Sequence, residues 1–563
     1  MEPFRRSTAG AGSDSGRASA PGFRLMARFD HWRRRYGPGR RGAALCLGIV
    51  LICNGGGAAA AAEATWFSFA GPTPAARQAA ELLTQAASEG LDPRDYDIDG
   101  LREAVSGSSE AVDPGSSSLV SRRLDRGMRR YLSDLHTGRI DPQQLGIRYD
   151  PAHRSDFDAD ALLRVALADE RLAEAARSAA PAWPQYDALR QALTRYRQLA
   201  DDPAWQKNLP AIPGGRLSPG QQYAGLGLLQ QRLLSLGDLA PTASRLPEHY
   251  QGTLVDAVKA FQARHGIPAD GVIGRDSFEQ LNIGPAARVR QIGLAMERLR
   301  WTPVPHARRA IVVNVPEFAL HGYEMHAGNT EAKLAMKVIV GTARKTPTPL
   351  FDAEMQFIEF SPYWNVPPSI ARSETLPRLR RDPGYFERQG FELVGSDGRV
   401  VGSLSPAGIE AVQAGQMRIR QRPGAGNALG GIKFVFPNRD NIYLHHTPTP
   451  QLFKRPRRDY SHGCIRVEEP LQLAKFVLAD TPEWTEARIE EAMRRGRSTT
   501  LRLDEPLPVI IGYSTTVVRD GRVHFLPDIY GLDARLEEAL RQRARTLQTS
   551  HTTEIPAESR PSR

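Results

Sequence analysis

Cysteine is scarce. The chain has three in 563 residues, and two of them, Cys46 and Cys53, sit in an apolar stretch near the N-terminus. Everything after that stretch holds one thiol, Cys464, and can form no internal disulfide. No Cys-x-x-Cys and no His-x-x-x-His pair occurs, which removes the commonest zinc-ligand spacings. A one-sided charge is also missing from most of the chain. The formal net charge is +11, but residues 1–42 carry ten arginines against Glu2, Asp14 and Asp30, so only about +4 is left for the remainder. That balance gives no reason to expect a nucleic-acid partner. Long hydrophobic runs are absent too: the apolar core at 43–53 falls short of the ~20 residues a membrane-spanning helix needs.

Arginines followed by a short apolar core and a Gly/Ala run to Ala62 match an export signal. Counting the Gly/Ala run as part of the span makes an uncleaved inner-membrane anchor the alternative. Ile52, not a small residue, precedes Cys53, which argues against lipoprotein processing. Either outcome puts the body outside the cytoplasm, where an unpaired thiol is unusual and points to reactivity.

A chain of this length divides into several domains. Residues 1–62 read as the leader or anchor. Residues 66–205 are Ala-, Leu- and Arg-rich with helical spacing, and read as a helical scaffold. Residues 217–285 place Leu228, Leu229, Leu233 and Leu236 on one helical face. They continue through Phe261-Gln262 to the turn signal Asp270-Gly271-Val272-Ile273-Gly274. From about 305 to 505 short β-branched runs dominate: 310–315, 336–341, 356–360, 433–436 and 441–444. These predict a β-rich sandwich or barrel. It is interrupted at 369–415 by a polar, more helical insertion that reads as a flap. Residues 506–543 read as a C-terminal extension packing on the body, and 544–563 as a disordered tail.

The chemistry concentrates in Tyr443-Leu444-His445-His446-Thr447-Pro448 and Ser461-His462-Gly463-Cys464-Ile465-Arg466. A thiolate, not a thiol, is the attacking species, and a neighbouring imidazole can take the thiol's proton and return it to a leaving amine. His445 follows a predicted strand, and Gly463 permits a tight turn whose N–H groups could face an oxyanion. The competing readings are zinc ligation by His445, His446, His462 and Cys464, and an inert packed cysteine. Arg455-Pro456-Arg457-Arg458 forms a basic run beside the motif. It reads as a solvated loop or as an attractor of acidic wall polymer.

His445, a gap of 15 residues and Ser-His-Gly-Cys-Ile-Arg resemble the L,D-transpeptidase catalytic domain of the YkuD type. The flanks resemble its large, YcbB-like branch: Val315-Pro316-Glu317-Phe318, 362–370, Asp528-Ile529-Tyr530-Gly531 and Gly138-Arg139-Ile140-Asp141-Pro142. Residues 217–285 resemble a three-helix peptidoglycan-binding module. The resemblance implies a multidomain α+β protein with no metal or other cofactor. Cys464 is then the nucleophile and His445 its base. His462 and Gly463 have positioning or oxyanion roles, with the Cys464 N–H beside Gly463 in the oxyanion hole. Arg466 braces the turn or meets a substrate carboxylate. Tyr363, Trp364 and Ser461 are candidate substrate contacts. His446 stands where the family usually has Gly, Asp or Ser, so the group orienting His445 is left open, a backbone carbonyl being one option.

The implied reaction is 3→3 cross-linking of peptidoglycan tetrapeptide stems through a cysteinyl thioester in the envelope, with reactivity toward carbapenems. Hydrolysis by the same thioester, lipoprotein attachment or release, and an inactive wall-binding role are the alternatives. Glycan binding by 217–285 and wall synthases are the further partners it suggests.

Overall fold

The computed structural model describes residues 66–68, 71–106, 114–241, 247–305, 307–326 and 329–553. The expected leader or anchor at 1–62, with Cys46 and Cys53, lies outside the described residues. No described helix is long and apolar enough to cross a membrane.

Helix α1 (Pro74–Thr84) starts where the Thr73 hydroxyl accepts the Ala76 N–H and Pro74 fills the first helical position, a standard N-terminal cap. It buries Ala76, Ala79, Ala80 and Leu83 against α2 (Pro114–Thr137), which contributes Leu124, Met128, Leu132 and Leu135. Leu172, Ala175, Ala176 and Ala179 complete this core. The scaffold expected over 66–205 is therefore two things. Residues 66–179 have a core of their own. Ile140, Ile147 and Tyr149, with Tyr186, Leu189 and Leu193 of α3 (Pro184–Leu199), instead pack into the core of the β-region.

Helices α4 (Leu226–Leu236), α5 (Thr253–Arg264) and α6 (Arg275–Leu281) form the three-helix module, with Leu229, Leu233, Val258, Phe261 and Leu281 inside. The Phe-Gln…Asp-Gly-Val-Ile-Gly string has a physical basis here. Gln262 is buried; its amide donates to Val272 O, Asp270 Oδ1 and Ser277 Oγ, and its oxygen accepts the Gly271 N–H. One side chain thus satisfies the turn, and Gly271, at φ +75°, supplies its left-handed residue.

Helix α7 (Pro285–Trp301) lies against α3 and carries Glu297, which is fully buried. Its carboxylate accepts the N–H groups of Arg139 and Ile140 and pairs with the guanidinium groups of Arg139 (3.1 Å) and Arg300 (3.0 Å). Burial raises the Glu297 pKa, but the two arginines and the Arg139 N–H outweigh it and hold the group ionised. Gly138, at φ +77°, is obligatory: a Cβ there would lie 2.3 Å from Trp301 Nε1. This explains Gly138-Arg139-Ile140 as a docking segment.

The strands of the β-region are β1 (Arg309–Asn314), β2 (Ala319–His326), β3 (Asn329–Gly341), β4 (Phe351–Phe360), β5 (Ile432–Val435), β6 (Leu444–His445), β7 (Asp459–Ser461), β8 (Ile465–Val467) and β9 (Thr499–Gly512). Pairing runs β3-β8-β6-β5-β4-β9-β1-β2 and returns to β3, a closed circuit; β7 adds to the end of β3. Most pairs are antiparallel, but β6–β8, β9–β1 and β7–β3 are parallel. Alternate residues such as Ile311, Val313, Val338, Val340, Ile358, Phe360, Ile432 and Phe434 fill the interior. The barrel reading of the alternation is thus met.

Three expectations change. The 441–444 strand shrinks to β6, because Asn438 accepts the Asp440 and Ile442 N–H groups and Asn441 turns at φ +53°. The insertion spans 364–421 instead of 369–415. It adds to its helices a four-stranded antiparallel sheet of Trp364–Asn365, Met417–Gln421, Phe391–Gly395 and Val400–Val401, with a small core around Leu379, Phe386 and Phe391. Two of those strands are two residues long, too short to leave an alternation in the sequence. At the C-terminus β9 runs through 506 to Gly512, and the tail expected to be disordered from 544 continues as helix α8 (Leu532–Thr553). Ion pairs tie that helix down: Arg298–Asp533 at 2.5 Å, and Arg543 to Asp95 (2.9 Å) and Asp134 (2.7 Å).

Glu297→Ala removes the buried carboxylate that pairs with both Arg139 and Arg300 and should cost about 3–5 kcal/mol. Chemical denaturation of the variant tests this. A loss under about 1 kcal/mol would mean the carboxylate does not hold α7 and the scaffold together.

Candidate active site

The parallel β6–β8 pair sets the geometry. Leu444 lies opposite Ile465 and His445 opposite Arg466, while the Ile465 N–H donates to Tyr443 O at 3.1 Å. Side chains alternate between faces, so Leu444 and Ile465 turn into the core and Tyr443, His445, Cys464 and Arg466 share the other face. β5 extends the row, with Lys433 opposite His445 and Glu359 opposite Lys433. His445 therefore sits between two cations. Burial and the charges of Arg466 and Lys433 push its pKa down to about 3, so the ring is neutral at working pH. Its Nδ1 meets the carbonyl of His446 at 2.5 Å. A carbonyl only accepts, so Nδ1 carries the proton and Nε2 keeps its lone pair. A main-chain oxygen thus orients this histidine. The His446 ring is engaged elsewhere, accepting the Gly431 N–H at 3.2 Å.

Cys464 is partly buried and unpaired. Burial raises its pKa, and hydrogen bonding with Tyr443 and the charges of Lys433 and Arg466 oppose the rise without cancelling it. At rest the thiol faces Asn441 O at 3.7 Å, with no hydrogen bond to His445. The resting state is therefore a protonated thiol beside a neutral imidazole. Tyr443 is a residue that the spacing argument did not assign. Burial keeps its phenol protonated, and it lies two positions before His445 on the same face as the thiol. The strand alternation was the signal that could have found it.

The turn before Cys464 is tightly braced. Gly463 adopts φ +115°, a region open to glycine. Its N–H donates to Ser461 Oγ at 3.1 Å and its carbonyl accepts Thr348 Oγ1 at 2.8 Å. Ser461 Oγ in turn donates to Cys464 O at 2.5 Å. Two expectations are corrected here. The Gly463 N–H is occupied and cannot serve an oxyanion, whereas the Cys464 N–H has no partner among the described residues. Ser461 is buried as a brace, away from any substrate path. Tyr530 supports the same turn from outside, donating to Gly341 O at 2.7 Å and accepting the Thr348 N–H.

Cys464 and His462 open into a cavity of about 820 Å³ lined also by Trp364 and Glu374 of the insertion, and by Tyr363, Lys345, Lys433 and Asp440. Tyr363 is exposed, with the Arg420 guanidinium 4.1 Å over its ring. His445 and Arg466 are not among the residues that line this cavity, and Arg466 acts on the site through its charge. His462 Nε2 bonds Glu374 Oε1 at 2.6 Å, directed toward the insertion. In the basic run, Arg458 donates to Phe318 O and Val338 O and Arg457 pairs with Asp459, so only part of it is a solvated loop.

Residues 308–490 match the family model of the L,D-transpeptidase catalytic domain. The barrel thus carries the match to an L,D-transpeptidase catalytic domain. Residues 58–193 match the scaffold domain model and 222–281 the "Putative peptidoglycan binding domain". The barrel continues past the end of the L,D-transpeptidase match, through β9. A "Putative L,D-transpeptidase" of Haemophilus influenzae is 33% identical over 249 residues, covering 44% of this chain; the chain spans about half, 49%, of that relative.

Two solved structures align at far lower similarity. One is a fused Zn-dependent amidase/peptidase/peptidoglycan-binding domain-containing protein of Clostridium acetobutylicum, with 11% identity, 53% of this chain, 98% of that one and TM-score 0.16. The other is Bd1075 of Bdellovibrio bacteriovorus, with 13% identity, 42% of this chain, 56% of that one and TM-score 0.15. Neither carries an argument at those scores.

A protonated thiol beside a neutral ring predicts that alkylation of Cys464 by iodoacetamide keeps accelerating, nearly tenfold per pH unit, from pH 6 to 9. A rate that levels off below pH 7 would reveal a thiolate–imidazolium pair and contradict this electrostatic picture.

Proposed function

We propose that this L,D-transpeptidase domain forms 3→3 cross-links between peptidoglycan stems through a thioester on Cys464. The observation that carries the reading is the β6–β8 register. It aligns a thiol, an unengaged N–H on the same residue and an imidazole whose tautomer leaves Nε2 as acceptor. Rotation about the Cys464 Cα–Cβ bond turns Sγ from Asn441 O toward His445 Nε2, a tightening common when substrate binds. His445 takes the thiol proton as sulfur attacks the carbonyl that links the diamino acid to the terminal D-alanine. The Cys464 N–H and the Tyr443 hydroxyl donate to the developing oxyanion. Collapse breaks the C–N bond, and His445 returns the proton to the departing D-alanine nitrogen. The thioester stays on Cys464 until a side-chain amine of a second stem attacks it.

The insertion at 364–421 covers one side of the cleft and limits access of water to the thioester. Export by the leader at 1–62, with cleavage or anchoring, puts the reaction in the envelope. The module around α4–α6 holds glycan nearby, in a cleft lined by Arg216, Gln262, Asp270 and Asp276.

Purified protein with tetrapeptide muropeptides should release D-alanine, gain the matching mass on Cys464 and yield 3→3 dimers. A carbapenem should label the same residue. Cys464→Ala should abolish both adducts, and His445→Ala should slow acylation by about 10²–10⁴. Trimmed monomers without dimers would make the enzyme a hydrolase, and adducts that persist in Cys464→Ala would remove the nucleophile.

A further inference from the structure

The cavity lining contains two carboxylates among the described residues, Glu374 and Asp440. Asp440 is committed to Arg148, whose guanidinium pairs with it. Glu374 has a different partner, the His462 ring, at 2.6 Å. This contact joins the insertion to the residue two before the nucleophile, and it is independent of His445, which is not among the residues that line the cavity. A carboxylate accepts, so His462 Nε2 carries the proton in the neutral ring and Nδ1 remains a proton acceptor. The cleft wall thus presents a second imidazole, this one paired with a carboxylate, on the solvent side of the thiol.

We propose that Glu374 and His462 together bind the acceptor amine and take its proton, so that the pair selects amine over water as the group that resolves the acyl-enzyme. This rests on the thioester reading above. An acceptor side-chain amine arrives as an ammonium ion, since its pKa is near 10.4. It cannot attack until it loses a proton, and a cation in a cleft that also holds Lys345 and Lys433 needs an opposing charge. Glu374 supplies that charge from the mouth of the cleft. One ammonium proton passes to His462 Nδ1 and on to solvent. The freed nitrogen lone pair forms the C–N bond to the thioester carbonyl, and the C–S bond breaks with its electron pair on sulfur. The second nitrogen proton travels through His445 to the Cys464 thiolate, restoring the thiol and a neutral amide.

Both side chains are about half exposed, so replacing them does not open the core. The test is a partition measurement on the full chain: a tetrapeptide donor with increasing concentrations of an acceptor stem, reading the ratio of 3→3 dimer to hydrolysed donor. Glu374→Gln keeps the shape and removes the charge; His462→Gln removes the proton acceptor. Each should lower the dimer-to-hydrolysis ratio about tenfold or more, with the Glu374 change expressed mainly as a raised acceptor KM. Acyl-adduct formation by mass spectrometry shows that each variant is folded and loaded. A loaded variant with an unchanged ratio overturns the pair's role in acceptor selection. Absence of any adduct in the unsubstituted chain overturns the thioester reading itself, which is a separate failure.

Discussion

The parallel pairing of two very short strands, β6 and β8, is the constraint on which the site depends. A shift of one residue in either strand would turn His445 or Cys464 into the core and bring Leu444 or Ile465 to the surface. Leu444 and Ile465 are both fully buried, so the hydrophobic face holds the register that the polar face uses. The same register places His445 between Lys433 and Arg466, whose charges, added to burial, keep the ring neutral. Packing below the sheet thus decides protonation above it.

Short strands alone would hold such a register weakly, and the surrounding structure supplies the rest. Gly463 is clasped by Ser461 and Thr348, and Thr348 is clasped by Tyr530, itself hydrogen-bonded through its N–H to the Tyr513 hydroxyl. The hydroxyl of Tyr513 donates to Asp528, which caps the start of α8. Helix α8 then meets the scaffold through Arg543. A hydrogen-bonded path therefore connects the turn before Cys464 to a segment some 80 residues later in the chain. That path gives a physical role to flanking motifs such as Asp-Ile-Tyr-Gly that contain no chemistry of their own.

The legibility of the fold varied with how local its determinants are. The three-helix module was legible because Gln262 and Gly271 act within ten residues of each other. The barrel strands were legible where they are long enough to alternate. The insertion's sheet was not, since two of its strands have two residues each. Domain edges are less local. Helix α3 reads as scaffold by composition, yet Tyr186, Leu189 and Leu193 face the barrel core, and composition does not tell a helix which neighbour it has. The disordered reading of 544–553 failed because Arg543, an ordinary surface residue in sequence, finds Asp95 and Asp134 from the far end of the chain.

Within the site, the chain alone pointed to the residues proposed to carry chemistry. One thiol beyond residue 62, a glycine before it and a histidine 19 residues upstream left few choices, because nucleophilic chemistry needs those side-chain types. Tertiary structure decided what each group does. It engaged the Gly463 N–H with Ser461 and left that of Cys464 open. It gave His445 a carbonyl for its Nδ1 proton, and it drew His462 out to Glu374 across 88 residues of sequence. Hydrogen-bond partners and local dielectric depend on distances through space, and in a chain folded around a closed barrel those distances bear no relation to spacing along it.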